Sequence, residues 1–142
     1  MNEILTEYSL AMQALMLIFA TVMAQSVIAM IAHRKQQHYV PGVVSEKLGH
    51  ESFVFRSHRT FMNSQENLLL MIGTVFVAVM AGMDAAWVAG CVWVYAIARL
   101  VHMVLYYIIA TEKNPCPRSY FYMIGFVANL VLLVKLGLHL IA

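Results

Sequence analysis

Four long apolar stretches alternate along the chain with three polar clusters: the N-terminus, the stretch from His33 to Arg59, and Thr111 to Arg118. Each apolar stretch comes close to the ~20 residues that carry a helix across a bilayer. The pattern predicts a first span over Ser9 to Ala32, closed by His33-Arg34-Lys35, and a second over Arg56 to Ala81. A third is predicted over Ala85 to Ala110, and a fourth begins at Pro117, after the break Asn114-Pro115-Cys116-Pro117. Proline suits the first turn of a helix, where its missing N–H would be unpaired anyway. Pro41-Gly42 marks a turn in the first loop and Gly82-Met83-Asp84 a tight turn after the second span. The expected fold is all-α: an integral-membrane four-helix bundle, antiparallel and up-down, forming one domain over residues 1–142.

Polar residues intrude into three of these spans in a regular way. Arg56, Arg59, Asn63 and Glu66 are three, four and three residues apart, which puts them on one helix face. Arg99, His102 and Tyr106 repeat the spacing in the third span, and Arg118 shares a face with Tyr122 in the fourth. With alternating span direction, the three faces meet at one depth, near the side that carries the longer polar loops. Ionisable residues inside a span are costly and mark function by default.

Composition sharpens the class. Of 142 residues, 62% are hydrophobic and 11% charged, where a soluble domain carries about a quarter charged. The net charge of +2 matters through its placement. Arg34, Lys35, Lys47, Lys113 and Arg118 lie in or beside two loops, while Glu3, Glu7 and Asp84 lie on the opposite side. The positive-inside rule puts both basic loops in the cytoplasm and both termini outside. No cleavable signal peptide and no nucleic-acid partner are expected. Cys91 and Cys116 form no CxxC pair, and no metal-type spacing is present.

The polar faces set Arg56, Arg59, Arg99 and Arg118 against one nearby carboxylate, Glu66, and the expected buried pair is Glu66–Arg99. The positive excess suits a small anion with several carboxylates, since arginine holds a carboxylate bidentately. Asn63, Tyr106 and Tyr122 add neutral hydrogen-bonding groups. A polar anion site beside a lipid-accessible cleft fits an enzyme that joins a water-soluble cofactor to a lipophilic substrate. A purely structural reading competes, because polar residues in membrane bundles often only hold helices together.

The run Arg56-Ser-His-Arg59-Thr-Phe-Met-Asn63-Ser-Gln-Glu66 resembles the signature of the membrane-associated proteins in eicosanoid and glutathione metabolism. Arg99-Leu-Val-His102-Met-Val-Leu-Tyr106 is similar to the third-helix segment of that family's prostaglandin E synthase branch, and Pro117-Arg118-Ser119 with Tyr122 to the start of its fourth helix. Met62 stands where that branch has an arginine. The resemblance implies a homotrimer of four-helix subunits with glutathione bound between neighbours on the cytoplasmic side. It implies that Arg59, Asn63 and Glu66 bind glutathione from one subunit, and His102, Tyr106, Ser119 and Tyr122 from the other face of the cleft. Arg118 matches the arginine that stabilises the thiolate, and Arg99 a structural arginine near the glutamate. The family's first-helix arginine falls on His33 or Arg34, with Arg34 the expected ligand.

The implied activity is a glutathione transferase or peroxidase. Its thiolate attacks lipophilic electrophiles or lipid hydroperoxides dissolved in the surrounding membrane lipids. A bacterial inner-membrane location is expected from the short loops. The competing class is a non-catalytic membrane protein of the same fold that binds lipid or glutathione. A small channel or transporter is a weaker fit, because no inverted repeat and no broken span points to a midplane site.

Overall fold

The computed structural model describes residues 2–38 and 40–142. Among these residues five helices follow one another: α1 over Asn2–Glu7, α2 over Ser9–Arg34, α3 over Phe53–Met80, α4 over Ala85–Ile108 and α5 over Pro117–Ile141. The first three long ones begin and end within three residues of the expected boundaries, and the fourth begins at Pro117 as expected. The short α1 was not expected; it is set off from α2 by Tyr8, whose buried hydroxyl donates to the carbonyl of Met83. Among the described residues there is no β-strand, only a one-residue bridge between Val40 and Val43 across the Pro41-Gly42 turn.

Contacts between helix ends show the up-down arrangement. The start of α2 meets the turn before α4 through Tyr8 and Met83. The start of α3 meets the end of α4, where Arg56 donates to the carbonyl of Tyr107. The end of α5 meets the end of α3, where His139 Nε2 lies 3.0 Å from the carbonyl oxygen of Ala81. By length and composition α2, α4 and α5 can each cross a membrane. The 28-residue α3 is as long but falls short in hydropathy, because polar residues from Arg56 to Asn67 are spread over its first half.

Local chemistry fixes the helix ends. Asp84 caps α4 by accepting the N–H of Trp87 at 2.9 Å. Cys116 and Ser119 form a reciprocal cap at the start of α5, with Pro117 at its first position as expected. Gly42 and Gly82, at φ 80° and 65°, supply the left-handed residues of the two predicted turns.

The apolar core lies at the end of the molecule away from the polar loops. Ala11, Ala14 and Ile18 of α2 pack there with Met71 and Val75 of α3, Val88 and Val92 of α4, and Leu132 and Leu136 of α5. The buried polar side chains Arg56, Thr60, Arg99, His102 and Arg118 occupy the opposite half. Where lipid surrounds the helices, apolar burial drives little association, and close packing carries more of the load. Gly125 of α5 shows this. A Cβ built there would lie 3.3 Å from Cδ of Arg99 and 3.7 Å from Cβ of Ala98. The absent side chain lets α5 approach α4 along the stem of Arg99. Gly125→Leu should therefore cost about 1–3 kcal/mol by overpacking, read as a lower melting temperature of the detergent-purified protein.

Candidate functional site

A cavity of about 700 Å³ opens at the polar half of the molecule. Arg59, Asn63 and Glu66 enter it from α3, and His102 and Tyr106 from α4. Arg118, Ser119 and Tyr122 enter from the first turns of α5. The α4–α5 connector closes the rim with Glu112, Lys113 and Cys116, and the loop before α3 adds His50. Within one chain, α3, α4 and α5 bring these residues to the same cavity.

Each side chain is held by identifiable partners. Arg118 is buried, with its guanidinium 4.3 Å from the centre of the Tyr106 ring. It donates to the carbonyls of Ile109 at 3.3 Å and Thr111 at 2.5 Å. It therefore ties α5 to the end of α4, satisfying carbonyls that a helix end leaves open. Two of its five N–H groups are used in these bonds. The Tyr106 hydroxyl lies 3.1 Å from Nε2 of His50. His102 is buried against the rings of Tyr106 and Tyr122, and its imidazole makes no hydrogen bond among the described residues.

The expected Glu66–Arg99 pair does not form. Glu66 accepts from Arg59 at 3.0 Å, seven residues away on the same face of α3. Both side chains are about half exposed, at 49% and 45%. Arg99 instead reaches Asn63, donating to its backbone oxygen at 2.8 Å and to Oδ1 at 2.6 Å. Its guanidinium lies 5.7 Å from the Tyr95 ring centre and 5.5 Å from that of Tyr122. The reason is reach: from its buried place on α4 this arginine meets Asn63 before it meets the next turn of α3, and two ring faces flank it while its Nε has no hydrogen-bond partner among the described residues.

The expected cluster of four cavity arginines is likewise reduced to two. Arg56 is turned away and buried, donating to the carbonyls of His50 at 2.6 Å and Glu51 at 3.0 Å. It pins the loop that precedes α3. Arg99 stands behind Asn63. The charges that line the cavity are Arg59, Lys113 and Arg118 against Glu66 and Glu112, a surplus of one positive charge.

The family model matches residues 8–138 and so covers nearly the whole chain. The chain belongs to the MAPEG family. Comparison with curated proteins and with solved structures gave no match. MAPEG proteins include glutathione transferases and related enzymes, and also members that are not enzymes. With three apolar helices of membrane-crossing length, this member is an integral membrane protein.

Arg34 does not join the other residues in this MAPEG chain. With His33 and His58 it lines a separate cavity of about 320 Å³ between the end of α2 and the start of α3. Sequence reasoning missed His50, Glu112 and Lys113, which reach the cavity from loops whose paths have no periodicity to read. The sequence places Cys116 in no CxxC pair and no metal-type spacing, so it did not stand out. Cys116 lines the cavity, and its sulfur accepts the Ser119 N–H and lies 3.4 Å from Ser119 Oγ. Burial raises its pKa, but the hydrogen bonds from Ser119 and the nearby Arg118 guanidinium outweigh burial, leaving the thiol below its ordinary value.

Two substitutions separate the observed pairing from the expected one. Asn63→Leu should destabilise the protein by about 1–3 kcal/mol, because the buried Arg99 loses its side-chain acceptor. Glu66→Gln should change stability by less than about 1 kcal/mol, as expected for a half-exposed ion pair. Thermal melts of both variants in detergent check the ranking; a larger loss for Glu66→Gln would restore the Glu66–Arg99 pairing.

Proposed function

We propose that this MAPEG protein is a membrane-bound glutathione transferase, with glutathione-dependent peroxidase activity as its companion reaction. The observation that carries the proposal is that Arg59, Asn63, Glu66, His102, Tyr106, Arg118, Ser119 and Tyr122 line one cavity. Glutathione has two carboxylates, an ammonium group and a thiol. Arg59 and Lys113 suit the carboxylates, Glu66 suits the ammonium, and Arg118 with the start of α5 suits the sulfur.

The chemistry follows from charge. A free thiol with pKa near ~8.5 is mostly protonated at neutral pH, and its thiolate is the nucleophile. The unused N–H groups of Arg118 favour the anion. The sulfur then attacks an electrophilic carbon, and the leaving group departs with the bonding electrons; held side by side, the two reactants gain from proximity. The lipophilic partner has a place to dock. An apolar groove of about 880 Å³ runs between α4 and α5 from Trp87 towards the polar cavity, and Tyr120 and Met123 line both.

The assembly proposed is a homotrimer in the bacterial inner membrane, with its cavity towards the cytoplasm. Gln65 is exposed on α3 beside Arg59 and Glu66, and polar groups at that depth favour the cover of a neighbouring copy over lipid. The basic residues flanking the two polar loops support the orientation.

Calorimetric titration of the detergent-purified protein with glutathione tests the reading. Saturable binding is expected, with a thiolate band in the ultraviolet difference spectrum at neutral pH. Arg59→Leu should weaken binding by about 10–100-fold, the worth of a charged hydrogen bond. Absence of binding overturns the proposal. Binding with neither thiolate nor conjugation of a chloronitrobenzene moves the non-catalytic reading ahead.

A further inference from the structure

The cavity contains a sulfur of its own. Cys116 precedes Arg118 by two residues and caps the helix whose first turn carries Arg118 and Ser119. Its sulfur is held by the Ser119 N–H, and the residue lines the same cavity as Arg59 and Tyr106. A helix start and an adjacent guanidinium both favour thiolate over thiol. The other cysteine, Cys91, has neither; it lies in α4 along the apolar groove.

A second feature shows that a polar ligand belongs beside this sulfur. His102 is only 4% exposed, and its imidazole finds no hydrogen-bond partner among the described residues. The ring lines the cavity, so a ligand there can supply the missing partner.

We propose that Cys116 is a modification site that forms a mixed disulfide with glutathione, taken up as glutathione disulfide by the cavity it lines. The proposal rests on the glutathione reading above for the identity of the ligand. The Cys116 thiol gives its proton to solvent, and the thiolate attacks one sulfur of glutathione disulfide. The disulfide bond breaks, a Cys116–glutathione bond forms, and the second glutathione leaves as a thiolate with the electron pair. Cys116 is oxidised and the departing glutathione reduced. Excess glutathione runs the exchange backwards. While the adduct persists, the tethered glutathionyl group fills the cavity and excludes free glutathione. The site then answers to the ratio of glutathione to its disulfide as well as to the amount of glutathione.

The test uses the full-length protein in detergent, incubated separately with glutathione disulfide and with the uncharged 2-hydroxyethyl disulfide, and followed by intact mass. One glutathionyl adduct is expected, removed by dithiothreitol. It should be present in Cys91→Ser and absent in Cys116→Ser. The modified protein should lose calorimetric glutathione binding until it is reduced. Glutathione disulfide should react faster than the uncharged disulfide by about tenfold, and Arg59→Gln should remove most of that advantage. An adduct on Cys91 in place of Cys116, or inert Cys116 in a protein that binds glutathione, overturns this proposal alone. Equal rates with the two disulfides, together with no calorimetric binding, overturn the glutathione reading beneath it.

Discussion

A guanidinium buried inside a membrane protein demands hydrogen-bond acceptors, and Arg99 sets that demand at the middle of this molecule. Both oxygens of Asn63 receive it, and the rings of Tyr95 and Tyr122 flank it. These partners come from three helices, so meeting the demand also sets how α3, α4 and α5 lie against one another. Gly125 leaves the room that the arginine stem needs. With Asn63 committed to Arg99, the next turn of α3 is free to turn Glu66 outward to Arg59. The buried charge is met behind the cavity by neutral oxygens rather than by the carboxylate in front.

The other arginines divide along the same line. Arg56 and Arg118 act on backbone carbonyls, one pinning the loop before α3 and the other the connector after α4. Arg59 alone of the four has its charge both in the cavity and paired to a carboxylate. A sequence that reads as a cluster of like charges is thus three structural staples and one ligand-facing side chain, with Arg118 serving both purposes.

Much of this was legible from spacing. Separations of three and four residues put Arg59, Asn63 and Glu66 on one face, and alternation of span direction put that face at the depth of His102, Tyr106 and Arg118. Four helix positions, the Pro117 start and the two glycine turns follow from local rules that tertiary contacts did not overturn. The partner of Arg99 was not legible. Asn63 and Glu66 are less than a turn apart, and the choice between them depends on the rotation of α4 against α3. Periodicity is also blind to loops, which is why His50, Glu112 and Lys113 came into view only with the fold. Arg34, at the end of α2, lies in the single chain beside a different cavity.

The two loop tethers carry one more consequence. A hydrogen bond from a buried arginine to a carbonyl has no opposite ion for dissolved salt to screen, whereas the half-exposed Arg59–Glu66 pair does. Ionic strength therefore acts on this protein unevenly. The frame that holds α3, α4 and α5 is nearly indifferent to it, while the charges at the cavity mouth weaken as salt rises. A change in salt thus alters how an anion is drawn in without loosening the walls that receive it, so binding and architecture can be varied separately in one preparation.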